Sequence, residues 1–447
     1  MLNKQQSYEI INFIIEQASG YQTRVMVNSQ AEGLTRYANS EIHQNVFEDK
    51  TSITITITEQ KKRSRVSTTV YDKESLREAV AEGIENLEFI PPGEEQPPAV
   101  EEPQEISTDH YNSDLAEEFG IVGRAEKLAE CLDILESDHK ASGKLTYQES
   151  SLALGNSNGV KRFAHGNQVN FSALVEVLDE DGGTGYAADT STRPEDLDLV
   201  ETFAKAQDKA KMNCEPEELE PGSYTVILEP LAVNNLLRYM SFIGFSAKSV
   251  QNQMSFLTGK KGEKVFDSRL TIIDDHTSEH NVSLPFDFEG YPRKKVTLVK
   301  DGVVKNFIYD AMSAQKDDVD NTGHSVDMPQ RGGIPLHMLM EPGEKNVDGI
   351  ISETEQGLLV TRFHYMNAVN PRQSVLTGLT RDGVFRIENG EIVGAVKNMR
   401  FTQSMLEAFN NIEAVSCERE RTPGFFGNSF VPTVKIGDFH FTGKTDA

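Results

Sequence analysis

Residues 221–265 read PGSYTVILEPLAVNNLLRYMSFIGFSAKSVQNQMSFLTGKKGEKV. Tyr224 to Leu228 alternate apolar and β-branched residues, Pro230 breaks the run, and Val233, Leu236, Leu237, Met240 and Ile243 then recur at helical spacing. The pattern predicts a strand, a turn and a helix with one buried face. Downstream the chain is strand-rich. Asp301-Gly302 lies between VTLVK and VVKNFIYD, Asp382-Gly383 precedes VFRIE, and Asn389-Gly390 joins VFRIE to EIVGAVK, three two-residue hairpin signals. Residues 221–447 are therefore expected to form a β-rich C-terminal domain.

Upstream, Tyr8–Ala18 has helical spacing and Arg24–Val27 starts a strand. Thr51–Thr58 (TSITITIT) alternates with period two, and Arg63–Val70 answers it across the EQKKR turn as an antiparallel hairpin. Asp72 is placed to cap a helix over Lys73–Ile90 whose buried stripe is Leu76, Ala79, Val80, Ile84 and Leu87. Pro91–Ile106 (PPGEEQPPAVEEPQEI) is too poor in apolar residues to bury surface and is expected to be an exposed linker or strap. Residues 1–107 then make an N-terminal α+β domain ending in that linker. Residues 108–220 make a central α+β domain, with a long helix over Asp114–Leu135, extended stretches to Leu178 and a second helix over Pro194–Met212. The fold class is α+β, with antiparallel and mixed sheets, flanking helices and a strand-rich C-terminal domain.

A length of 447 residues suits about three domains of roughly 100 to 200 residues each. Seventy acidic against 44 basic residues give a net charge of −26, which repels a phosphate backbone, so direct nucleic-acid binding is not expected. No run is long and apolar enough to span a membrane, and Met1–Gln6 lacks the layout of a signal peptide, so a cytoplasmic location is expected. Cys131, Cys214 and Cys417 lack CxxC spacing and read as reduced thiols, Cys131 as a small buried hydrophobe.

The 221–265 stretch, with RYANSEI near the N-terminus, NSNG before a strand, FDFEGYPRKKVTLVKDGVVKNFIYD and VNPRQS, resembles the TldD/PmbA family, described as modulators of DNA gyrase and as a two-subunit metalloprotease. In that family the catalytic subunit carries a zinc-binding HExxxH motif on the helix after this strand. The resemblance places that motif at Arg238 to Ile243, where no His or Glu stands, and none of the ten histidines in the chain is followed by Glu. A zincin needs two imidazoles on one helix face and an adjacent carboxylate. The family's third ligand is a cysteine in a glycine-rich loop; the comparable PGFFGN loop at Pro423–Asn428 has none, and Cys417 lies upstream of it. The chain thus resembles the TldE/PmbA-type subunit. No metal and no catalytic residue is expected in this chain, and zinc is expected in the partner.

Arg36, Asn39 and Glu41 of RYANSEI would suit the lining of a peptide channel, where an extended substrate needs amide and charged partners. The alternative is that Asn39 and Ser40 form a turn or bulge and Arg36 pairs locally. Other motifs read as decoys. Gly155-Asn-Ser-Asn-Gly159 matches GxSxG but leads into a strand, so it reads as a hairpin turn. His276-Thr-Ser-Glu-His280, after Asp274 and Asp275, reads as a solvated loop. The segment starting at Asp318 imitates a calcium loop but has Pro329 at its twelfth position, and Gly437–Thr445 imitates a P-loop with no helix after it; both read as loops.

Three functions follow. The first is a subunit that pairs with a TldD-like HExxxH-bearing homologue to degrade or mature small or unfolded peptides, with a homodimer as its state when alone. The second is a regulatory binding protein of the gyrase-modulator type without proteolysis, and the third an independent hydrolase.

Overall fold

The computed structural model describes residues 1–93, 99–101, 104–328, 330–424 and 428–445. Parts of the expected linker, Pro329 and the middle of the PGFFGN loop lie outside the described residues.

The N-terminal half is built on one seven-stranded sheet. Its strands are β1 (Gln22–Ala38), β2 (Glu41–Glu59), β3 (Lys62–Thr68), β4 (Ile106–His110), β5 (His139–Asn156), β6 (Lys161–Val177) and β7 (Thr184–Ser191), in the order β3-β2-β1-β5-β6-β4 with β7 also on β6. β1 pairs with β5 from Arg24 opposite Asn156 to Tyr37 opposite Gly143. The two N-terminal blocks expected on either side of residue 107 therefore share a continuous sheet.

Period-two alternation sorts the faces of this sheet. Val25, Val27, Ile53, Ile55 and Ile57 are buried against α1 (Lys4–Gln17) and α2 (Lys73–Phe89), the latter capped by the Asp72 carboxylate. A second core joins Leu145, Val169 and Phe171 to α3 (Ser113–Glu118), α4 (Ile121–Asp133) and α5 (Leu199–Met212). The single helix expected over Asp114–Leu135 is two, because the chain leaves helical geometry at Phe119 and restarts with Gly120 as an extended N-cap. The expected second helix opens as a short 3-10 turn at Pro194–Asp196 before α5. The GxSxG match is the β5–β6 hairpin turn, with Gly159 at φ 87°.

The C-terminal half forms an eleven-stranded sheet from β8 (Gly222–Leu228), β9 (Ile272–Asp274), β10 (Val296–Lys300), β11 (Val303–Val304), β12 (Met338–Met340), β13 (Gln356–Asn370), β14 (Val375–Glu388), β15 (Glu391–Ala395), β16 (Met399–Ser404), β17 (Ile412–Thr422) and β18 (Ser429–Lys444). The order is β11-β10-β9-β12-β18-β16-β14-β13-β8, and β8 pairs again with β18, which closes the last five strands into a ring. The Asp301-Gly302 and Asn389-Gly390 turns fall where expected, between β10 and β11 and between β14 and β15. Asp382-Gly383 does not make a turn. It lies inside β14 at positive φ, where the register against β13 shifts, and is a bulge. Gly437–Thr445 is not a loop either, since β18 runs through to Lys444.

The predicted helix is α6 (Pro230–Ile243), with Ala232, Val233, Leu236, Leu237 and Met240 fully buried against the ring. The architecture is mixed α+β, and no helix among the described residues is long and apolar enough to cross a membrane.

Candidate functional site

α6 occupies the position where the resemblance would place a metal helix. Proline at its first turn suits the fixed φ that helix entry requires. Its start is tied to the N-terminal half by Lys209 of α5, whose Nζ lies 2.6 Å from the Glu229 carboxylate. The polar groups of α6 serve the fold: Asn234 Nδ2 donates to the Pro423 carbonyl at 3.3 Å, Asn235 Oδ1 accepts from Phe363 N at 3.0 Å, and the Tyr239 hydroxyl donates to the Met366 carbonyl. Arg238 is exposed, and the Arg331 guanidinium lies 5.6 Å from the Phe242 ring. With no imidazole or carboxylate on α6 and its amides engaged with backbone, these residues do not fit zinc.

The two halves meet along a seam of charges. The face of the N-terminal sheet opposite the α1–α2 core carries two cross-strand rows, Arg24–Thr56–Arg65 and Gln22–Thr58–Arg63. Arg24 and Arg63 each donate through Nη2 to Asp327 Oδ1, at 2.7 and 2.6 Å, and Arg65 Nη1 lies 2.9 Å from Oδ2. Burial opposes ionisation of Asp327, but the Arg24 and Arg63 guanidiniums outweigh it and hold the carboxyl below its usual range. Farther along, the β14 bulge aims Asp382 at Arg362 Nε (2.6 Å) and accepts a hydrogen bond from Thr184 of β7 (3.1 Å), while Arg362 stacks on Tyr186. Arg421 Nε of β17 donates to the Thr190 carbonyl of β7 at 2.8 Å.

Beside the Asp327 cluster sits Glu289. Its turn is held by Asp287, a fully buried side chain that accepts backbone N–H bonds from Glu289, Tyr291 and Ser325. Burial and the neighbouring Asp287 and Asp310 carboxylates push the Glu289 carboxyl up to about 8, against the pull of Arg24.

A third cluster corrects the expectation of a solvated loop at residues 274–280. Thr277 does turn on the Asp275 carboxylate, but Asp274 is fully buried at the end of β9. Its oxygens lie 3.0 Å from His324 Nε2 and 2.9 Å from the His337 amide. Burial disfavours the Asp274 anion, yet His324, His337 and the Arg293 guanidinium overcome it and keep the carboxyl far below the ordinary value. Burial pushes His337 down to about 3. Arg293, buried with Asp274 and Asp287 as its charged neighbours, has no hydrogen-bond partner for its three nitrogens among the described residues. His276 and His280 are half-buried rather than solvated. Neither joins a trio of metal-ligating side chains among the described residues.

Arg36, Asn39 and Glu41 are not part of these clusters. Asn39 and Ser40, at φ 52° and 64°, form the two-residue turn between β1 and β2, and the three candidate side chains are exposed around it. Sequence reasoning missed Asp327, Glu289, His324 and His337. A signal for the first was available in Arg24, Arg63 and Arg65, three arginines on the polar face of strands whose other face is apolar.

Comparison with known proteins agrees with this architecture. The structure is similar to TldE from Thermococcus kodakarensis, with a TM-score of 0.88 at 19% identity, covering 98% of this chain and 100% of the other. By sequence it is similar to Metalloprotease PmbA of Escherichia coli, 23% identical over 452 residues, covering 96% of this chain and 95% of that one. An uncharacterized protein of Methanocaldococcus jannaschii is 31% identical over 275 residues, 60% of this chain, and the match spans 62% of that relative's length. Residues 221–443, which hold β8, α6 and the closed ring, match the PmbA/TldA metallopeptidase C-terminal domain, and the chain belongs to the PmbA/TldD family.

Proposed function

We propose that the chain is the TldE/PmbA-type subunit of a two-subunit peptidase that degrades or matures small or unfolded peptides, with zinc held by a HExxxH-bearing homologue. The observation that carries this is α6: its apolar face is packed into the core, and the positions the resemblance gives to metal ligands hold Arg238 to Ile243. The helix keeps the packing of a site helix without its chemistry. No step of peptide cleavage is assigned to residues of this chain. Its contribution is enclosure, and Arg36, Asn39 and Glu41, exposed at the tip of the β1–β2 hairpin, are assigned to the peptide-facing surface.

The test is association. Mixed at micromolar concentration with a HExxxH-bearing homologue from the same organism, the chain should elute from size exclusion as a heteromeric complex distinct from either component. Two unchanged separate peaks would refute the pairing.

A further inference from the structure

Between the Arg24–Thr56 and Thr58–Arg63 rows and Glu289 lies a cavity of about 50 Å³, also bordered by Asn156. That is room for a few waters or one small polar group. Arg24 and Arg63 both line it, and each also gives one terminal nitrogen to Asp327. Arg65 makes a third guanidinium on that one carboxylate, so the cluster carries more positive than negative charge within a chain of net −26. Glu289 also lines the cavity, and its Oε2 is buried and has no hydrogen-bond partner among the described residues. An unpartnered buried oxygen on a residue that lines a charged cavity marks a place for a group not supplied by the described residues.

We propose that this cavity binds a carboxylate group, with Arg24 and Arg63 supplying charge, Thr56 and Thr58 supplying hydroxyls, and Glu289 closing the C-terminal wall. Guanidinium and carboxylate match in charge and shape, and the pairing is strengthened where water is excluded. A protonated Glu289 completes the site by donating to one ligand oxygen, as its raised carboxyl permits at neutral pH. A dianion fits less well, because the Asp327 carboxylate is already bonded to both lining arginines and the Asp287 and Asp310 carboxylates act on Glu289. The carboxylate is that of a free small acid or of a peptide's C-terminus; the chemistry of recognition is shared. The proposal stands whether or not the chain pairs with a zinc-bearing homologue.

Thermal-shift titration of the full chain at constant ionic strength tests it, with acetate, N-acetyl-Ala-Ala, its C-terminal amide, phosphate and chloride as probes. Acetate and the acid peptide should raise the melting temperature saturably, and the amide should bind at least tenfold more weakly than the acid. Tighter binding of the peptide than of acetate identifies a chain terminus as the ligand, and the reverse a free small acid. Arg63→Gln should weaken acetate at least tenfold. Between pH 7 and 9 the wild type should lose about tenfold in affinity as Glu289, beside Arg24, Asp287 and Asp310, ionises around 8. Glu289→Gln, which keeps a donor, should bind with no such loss and decides the matter if Arg63→Gln does not fold. Acid and amide binding alike, neither carboxylate binding, phosphate binding more tightly than acetate, a folded Arg63→Gln with wild-type affinity, or an unchanged pH dependence in Glu289→Gln would overturn the proposal.

Discussion

Arg24 and Asp327 stand 303 residues apart in the chain and 2.7 Å apart in space. The contact joins β1 of the N-terminal sheet to a loop of the C-terminal half, and Arg63 and Arg65 converge on the same carboxylate. The Asp327 side chain is 4% exposed, so its pairs with Arg24 and Arg63 are screened from solvent far more than a surface ion pair, while Arg65 reaches it from the exposed side. With Lys209–Glu229, Thr184–Asp382 and Arg421–Thr190 the cluster joins the two halves, and two of its arginines line the cavity that Glu289 also borders.

Asp327→Asn should therefore destabilise the protein by about 3 kcal/mol, since three guanidiniums lose their common anion. Denaturant unfolding at pH 7 measures it. The pH dependence has a definite sign. A carboxyl whose folded-state pKa is lowered stabilises fully above its unfolded value of about 4, and that contribution is lost as pH falls toward the lower folded value. The wild type should lose stability more steeply below pH 4 than Asp327→Asn does.

Leu237→Asp and Met240→Asp each place a carboxylate where the native side chain is fully buried in the ring core. Each should cost roughly 3 kcal/mol or more and lower the melting temperature markedly. Exposed Arg238, one position away from Leu237, provides the control: Arg238→Asp should change stability by less than about 0.5 kcal/mol.

His337 should remain neutral well below the usual histidine range, because burial pushes it down to about 3 with Arg293 and His276 reinforcing the effect and Asp274 opposing it. In the folded state its ring resonances should not shift between pH 8 and 5. The linked stability is full above the unfolded value of about 6.5 and declines as pH falls from there toward 3. Isotope-edited histidine spectra against pH check this, and a midpoint for His337 between 6 and 7 would contradict it.

The elements that could be read in the sequence are those whose pattern repeats locally. TSITITIT alternates with one face buried, and the α6 stripe recurs at helical spacing, so β2 and α6 were legible within two or three turns of chain. The break at Phe119-Gly120 was not, because Phe119 fits the apolar stripe on either side. Asp382-Gly383 misled because positive φ serves a bulge as well as a turn. The charge clusters were illegible for another reason: Asp274 meets residues 50 and 63 positions away, and Asp327 one 303 away, distances over which no sequence spacing carries information.

Peptide digestion by each subunit alone and by the pair tests the central claim most directly. Unfolded peptides should stay intact with this chain alone and be cleaved by its mixture with the HExxxH-bearing homologue. Cleavage should stop with a zinc chelator or when the partner's HExxxH glutamate is replaced, survive His276→Ala and His280→Ala here, and slow with Arg36→Ala while the complex stays whole. Chelator-insensitive cleavage by this chain alone would contradict the account.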